Sequence, residues 1–231
     1  MPELVRYSLE GSVARLHFDD GKANVISPAS LAALNAALDR AEKEAGAALL
    51  FGRAGRFCAG FDLNTIQESA DAARRLVAGG AELAARLAGS PLPVVIGCGG
   101  HALAMGALLL LGADVRIGAE GDYKLGLNEV AIRMTLPAFA LELANERLSK
   151  RHLLRATTLA EVYAPAAACD AGYLDRVVPA ERLEAETLAE AARLAELPRR
   201  AFAETKRALR FAMVERIRAG LDENLAGWRV G

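Results

Sequence analysis

Glu129 is the residue of this chain best suited to moving a proton. It sits in Asp122-Tyr123-Lys124-Leu125-Gly126-Leu127-Asn128-Glu129-Val130, and a carboxylate desolvated between apolar neighbours has its pKa raised toward useful basicity. The same position also suits an ordinary glutamate at a helix N-terminus, held by the dipole. Two other segments offer backbone donors. Arg56-Phe57-Cys58-Ala59-Gly60-Phe61-Asp62-Leu63 runs from a strand end into a helix start, so N–H groups near Phe61 can meet an anion, or Asp62 simply caps the helix. Gly99-Gly100-His101-Ala102-Leu103-Ala104-Met105-Gly106 is a second strand-to-helix junction, read either as a donor site or as a buried helix packed through small residues. Two backbone donors converging on one oxygen in a dry site stabilise a developing oxyanion by about 3 kcal/mol or more each, the device that enolate-forming chemistry uses.

Other chemistries lack their residues. There is no GxxxxGK[ST] or GxGxxG phosphate loop, and no Ser or Cys is flanked as in a nucleophile elbow. His17, His101 and His152 stand apart without metal spacing and read as structural. Cys58, Cys98 and Cys169 form no CxxC and fit a reducing interior. The chain has 231 residues, 53% of them apolar, which is enough for a sizeable core. Its net charge of -1 provides no basic field for nucleic acid or an anionic membrane. The N-terminal residues lack the pattern of an export or transit signal, which predicts a cytoplasmic protein. The apolar run from Ala102 to Ala113 is well short of the ~20 residues of a membrane helix and predicts a buried one.

The elements that must position these groups alternate. Leu4 to Leu9 and Val13 to Phe18 read as strands around a Glu10-Gly11-Ser12 turn. Ser27-Pro28 supplies a cap and a first-turn proline, and Leu31, Leu34, Leu38 and Ala41 continue at helical spacing up to Glu44. Ala47 to Phe51 predicts a strand, Gly52 to Gly60 a loop, and the residues from Asp62 onward a helix with Leu76, Leu83 and Leu87 on one face. The unit then repeats: strand Val94 to Cys98, a glycine loop, a helix near Met105 to Gly112, and strand Asp114 to Gly118. This alternation predicts an α/β fold. Residues 179–231 form a helical region appended to a core of residues 1–178.

In their order and separation these segments resemble the crotonase, or enoyl-CoA hydratase/isomerase, superfamily. The resemblance begins at Asp20-Gly21-Lys22-Ala23-Asn24-Val25 and continues through Phe57 to Leu63, Gly100 to Ala107 with Asp114, and Leu127-Asn128-Glu129. It ends in Ala171-Gly172-Tyr173-Leu174-Asp175-Arg176-Val177-Val178-Pro179. It implies a spiral of β-β-α turns, with the C-terminal helices used in a homotrimer or a dimer of trimers. It also implies an acyl-CoA substrate, with coenzyme A part of that substrate and no separate cofactor. The thioester oxyanion would be held by the backbone N–H groups of Phe61 and Met105. Lys22, Ala23, Ala59, Gly60, Asp62, Leu63, Gly106 and Asn128 would lie at the substrate, Leu108 and Ile132 in the acyl pocket, and Lys206 at the CoA phosphates.

One departure from the family pattern selects the reaction. Family hydratases use two glutamates, and the first of these positions is Leu108 here. Hydration needs a water activated and a carbon protonated, whereas shifting a double bond needs one base to take a proton from C2 and return it at C4. A lone Glu129 therefore predicts a 3-enoyl-CoA to trans-2-enoyl-CoA isomerase, and the motif pattern resembles the Δ3,Δ2-enoyl-CoA isomerases. The alternatives are hydration or another enolate reaction on the same scaffold, or a CoA-ester-binding subunit without turnover. Met105 and Arg133 stand where the family often has glycine, and Arg133 has three possible places: in the acyl pocket, paired with Glu129, or in solvent.

Overall fold

The structure is a computed structural model that describes residues 3–219 and Leu221. A hairpin opens the chain, β1 (Val5–Glu10) against β2 (Val13–Phe18). A short strand, β3 (Val25–Ile26), leads into α1 (Pro28–Glu44). This helix starts where the sequence says it should: Ser27 Oγ accepts from Ser30 N–H and Ser30 Oγ from Ser27 N–H. The next turn comprises β4 (Ala47–Phe51), β5 (Gly55–Cys58), β6 (Gly60–Phe61), α2 (Leu63–Glu68) and α3 (Ala70–Gly89). After it come β7 (Val94–Cys98), β8 (Gly100–Leu103) and α4 (Met105–Gly112). The last turn runs from β9 (Val115–Ala119) and β10 (Leu125–Gly126) through a 3-10 turn (Val130–Ile132) to α5 (Ala138–Arg147), α6 (Lys150–Ala156) and α7 (Pro165–Ala171). The described chain closes with β11 (Arg176–Val178), α8 (Leu183–Ala195) and α9 (Arg199–Ala219).

Each turn places one strand in a large sheet and the next in a small layer beside it. The large sheet has the order β1-β2-β4-β7-β9-β11, parallel except for the opening hairpin. The small layer holds the parallel sets β10-β8-β5 and β3-β6. This is the β-β-α spiral that the resemblance implies. The Gly52 to Gly60 stretch, expected as a loop, carries β5 and β6, which are too short to show a period. The helix expected from Asp62 is two helices, because Ser69 ends α2 in an extended conformation and caps α3 through its side chain, which accepts from Ala72 N–H at 3.1 Å.

The C-terminal helices are not an appendage to the described core. A parallel strand buried on both faces needs cover on both, and α8 supplies the second cover. On β4, Ala48 and Leu50 pack into the main core with Leu34, Leu38 and Leu76. The alternate residues Ala47, Leu49 and Phe51 pack with Ala191 and Leu194 of α8. Helix α9 joins the main core through Met213, Val214 and Ile217. Its Lys206 is buried, ion-paired with Asp114 at 2.6 Å, and donates to the carbonyls of Leu87 and Leu92 at 3.1 and 3.4 Å. Burial pushes its amine below the ordinary value, against the pull of Asp114. Lys206 therefore clamps α9 to the core, and the expectation that it meets CoA phosphates is corrected. No helix among the described residues is long and apolar enough to cross a membrane.

Candidate active site

Three segments distant in sequence meet around an apolar cavity of about 410 Å³. Its wall includes Ala23 and Val25, then Ala59, Phe61, Asp62, Leu63 and Ile66, then Val77, Ala104 and Leu108, and finally Asn128, Glu129, Ile132, Met134 and Pro137. Of the expected site residues, Ala23, Ala59, Phe61, Asp62, Leu63, Leu108, Asn128, Glu129 and Ile132 are thus brought together. Leu63 and Ile132, 56% and 49% exposed, give the wall an apolar rim.

The first segment is held by Asn24 and Asp20. Asn24 is fully buried at φ 54, and its Nδ2 donates to the carbonyls of Phe18 and Phe57 at 2.8 and 3.2 Å. The Asp20 carboxylate accepts from the backbone N–H groups of Lys22, Asn24 and Val25. This clamp sets β3 beside β6, and Asp62 N–H donates to Ile26 O at 2.9 Å. Because strand amides alternate, the Phe61 N–H points away from β3. Lys22 is exposed and lies outside the cavity wall.

The second segment is the junction between β8 and α4. Met105 opens the helix, so its N–H has no intrahelical acceptor. It avoids positive φ, which falls instead on Ala104 at φ 49, ψ -120. A non-glycine residue held there costs about 1–3 kcal/mol and marks a functional constraint more often than chance allows. Ala104 is pinned on both sides: its N–H donates to Gly126 O at 3.0 Å and its carbonyl accepts from Leu108 N–H at 3.1 Å. The sequence reading missed it, because nothing in the residue type announces a glycine conformation.

The two junctions are adjacent. A Cβ built on Gly60, itself at φ 110, would lie 3.0 Å from Ala104 Cβ and 3.8 Å from Met105 N. The side chains of Phe61 and Met105 turn the other way, onto Gly80 of α3, where a Cβ would meet the Phe61 ring at 2.5 Å and the Met105 sulfur at 3.2 Å. Met105 is buried and is not part of the wall. Gly106 is also absent from the wall. A Cβ there would strike Cys58 O at 2.1 Å, so this glycine lets α4 approach β5, and the expectation of a substrate contact is corrected to a packing role.

The third segment carries the acid. Gly126 O receives Ala104 N–H, and Leu125 exchanges backbone hydrogen bonds with Tyr163 at 2.9 and 2.8 Å, so the chain entering Leu127-Asn128-Glu129 is fixed from both sides. Glu129 then starts the 3-10 turn, with its carbonyl accepting from Ile132 and Met134. It is 6% exposed, and its Oε2 has no hydrogen-bond partner among the described residues. Burial raises its pKa to about 7, against a smaller opposing effect of its own backbone N–H. Arg133 is exposed, forms no ion pair with Glu129 and is absent from the cavity wall. It occupies the left-handed region at φ 64, ψ 29, which accounts for a glycine preference at that position. Asp62 is the other carboxylate of the wall. It is already engaged as the cap of α2, accepting from Asn64 N, Thr65 N and Thr65 Oγ1.

Successive β-β-α turns wound on a parallel sheet, with a helix start and a short strand side by side against an apolar cavity, define the crotonase class. The enoyl-CoA hydratase/isomerase family profile matches residues 8–226, and the chain belongs to that family. It is 30% identical over 220 residues to human enoyl-CoA delta isomerase 1, mitochondrial, covering 93% of this chain and 72% of that one. A solved enoyl-CoA hydratase/isomerase family protein from Pseudomonas syringae superposes with a TM-score of 0.96 at 41% identity, over 98% of each chain. A Mycobacterium tuberculosis protein described both as an enoyl-CoA isomerase and as a probable enoyl-CoA hydratase superposes with a TM-score of 0.94 at 39% identity, over 99% of this chain and 100% of that one.

Proposed function

We propose that this protein isomerises 3-enoyl-CoA thioesters to trans-2-enoyl-CoA. The observation that carries the reading is the composition of one wall: a buried Glu129 whose Oε2 has no hydrogen-bond partner among the described residues, Leu108 where hydration would need a second acid, and Asp62 engaged in a helix cap. The substrate's thioester oxygen would sit between Phe61 N–H and Met105 N–H, which would stabilise it as the enolate forms. Ionised Glu129 would take a proton from C2 and return the same proton at C4, moving the double bond with no net change in atoms. A base of pKa near 7 suits both halves of that cycle, being able to accept and to release at neutral pH. The apolar rim at Leu63 and Ile132 would hold the acyl chain, and coenzyme A enters as part of the substrate. The similarity to human enoyl-CoA delta isomerase 1 supports the choice, whereas the Mycobacterium tuberculosis neighbour bears both an isomerase and a hydratase name and does not decide it.

The test is incubation with 3-enoyl-CoA esters of several chain lengths, following the conjugated thioester, and in parallel with 2-enoyl-CoA, following 3-hydroxyacyl-CoA. Conversion in the first assay with none in the second is expected. Hydration as the faster reaction would overturn the reading, and binding without turnover on any ester would move it to a CoA-ester-binding subunit. A homotrimer or dimer of trimers is part of the same proposal, supported by Leu209 and Phe211 standing exposed on α9. Sedimentation at a single monomer mass would remove that part.

A further inference from the structure

Two residues of positive φ stand face to face at the junctions before Phe61 and Met105. Gly60 has φ 110, and Ala104 has φ 49 with ψ -120. Both conformations favour glycine, because a Cβ crowds the backbone there. The chain meets that demand with glycine at the first junction and with alanine at the second. Ala104 is no loose loop residue: its N–H is tied to Gly126 O at 3.0 Å, its carbonyl takes Leu108 N–H at 3.1 Å, and α4 starts at the next residue. A glycine could make the same two hydrogen bonds without the strain, so the methyl itself calls for a reason. Its place supplies one. A Cβ built on Gly60 would lie 3.0 Å from Ala104 Cβ, 3.5 Å from Leu103 O and 3.8 Å from Met105 N. The Ala104 methyl therefore occupies the space over Gly60 that a side chain there would take. On the far side the Phe61 ring and the Met105 sulfur are both seated over Gly80 of α3.

We propose that Ala104 is a positioning residue whose methyl is a spacer: seated on Gly60, it sets the separation of the Phe61 and Met105 N–H groups so that both reach one thioester oxygen. This rests on the reading of those two groups as thioester donors. Gly60 and Ala104 are the residues immediately before them, so any change in the contact between the two is passed directly to the two amides. Protein interiors are close-packed, and deleting a methyl lets the neighbouring backbone relax into the space. Donors aimed at a developing charge lose much of their effect when displaced by a fraction of an ångström. Strain kept at one backbone position for the sake of a site is a common exchange of stability for activity.

The experiment is Ala104→Gly, which removes the methyl and the strain together. Butanoyl-CoA, isotopically labelled at the thioester carbonyl, is bound to excess protein and its carbonyl band followed by infrared difference spectroscopy, which reads polarisation by the donors without turnover. In the parent the band should move to lower frequency on binding, and in the variant at least half of that displacement should be lost. With a 3-enoyl-CoA ester, kcat should fall by about 10- to 100-fold while KM changes by less than about twofold. The denaturant midpoint should not fall, because a strained conformation has been relieved. A methyl kept for packing alone makes the opposite prediction, a lowered midpoint with the bound carbonyl band unmoved, and that result would overturn the proposal. So would a variant with the band and kcat of the parent. If the parent binds butanoyl-CoA with no displacement of its band, the donor reading fails and the spacer falls with it. The parent spectrum thus tests the donors, and the difference between parent and variant tests the spacer.

Discussion

Glu129 and Lys206 are equally buried, each 6% exposed, and the protein treats them in opposite ways. Around Lys206, where α9 meets the end of α3 and the start of β7, the ammonium has one carboxylate and two carbonyls within reach. Around Glu129 one carboxylate oxygen has no hydrogen-bond partner among the described residues. Arg116, the remaining buried charged residue among those described, follows the Lys206 pattern: it pairs with Asp175 and donates to Gly172 O at 2.8 Å. Burial alone therefore does not mark a site. A desolvated charge with its partners supplied is structural, whereas one left without them, against an apolar cavity, is available for chemistry.

Several experiments would break or sharpen this contrast, beginning with the largest effect on stability. Lys206→Met removes the cation from Asp114, which keeps only the Val94 N–H, and the donor from two carbonyls, and denaturant unfolding should show a loss of about 3 kcal/mol. Undiminished stability would make the clamp decorative. Glu129 should behave in the reverse sense. Its pKa is about 7 folded against 4.5 as the ordinary value, so between those pH values the folded state binds more protons than the unfolded one. Stability from this group is thus fully present below pH 4.5 and is lost as pH rises through 7, by about 3 kcal/mol in all. Unfolding of the parent and Glu129→Gln across pH 4 to 8 should show that fall in the parent and its absence in the variant.

The packing behind Phe61 and Met105 offers a smaller test. Gly80→Ala forces a methyl against the Phe61 ring and the Met105 sulfur. It should cost about 1–3 kcal/mol and, under the proposed function, lower turnover by shifting the backbone of Phe61 and Met105. Arg133→Gly should have the least effect, changing stability by no more than about 1 kcal/mol and leaving the rate unaltered, since Arg133 touches neither Glu129 nor the cavity. A rise in kcat there would show that Arg133 restrains the base.

The burial of Glu129 was legible in the sequence and that of Lys206 was not, for a physical reason. Glu129 stands among neighbours close in sequence that are themselves apolar, so its desolvation can be read locally. The burial of Lys206 depends on α9 folding back over residues about a hundred positions earlier, and its own helix is rich in charge. Regular elements with caps or unbroken apolar runs were equally legible: α1 with Ser27 and Pro28, β4, β7 and α4 all lie where their residues place them. Two-residue strands such as β3 and β6 were not, since no periodicity exists at that length and tertiary pairing alone creates them. Nor could the sequence show Ala104 in a glycine conformation, or Gly80 making room for Phe61 and Met105.

Everything chemical in this account passes through one carboxylate, so the most direct measurement compares the parent and Glu129→Gln on the same 3-enoyl-CoA ester at pH 8, with CoA-ester binding measured alongside. The account predicts at least a 100-fold loss of the conjugated product, about the lower bound for removing a general base, while the variant still binds the ester. Equal rates in the two proteins would contradict it.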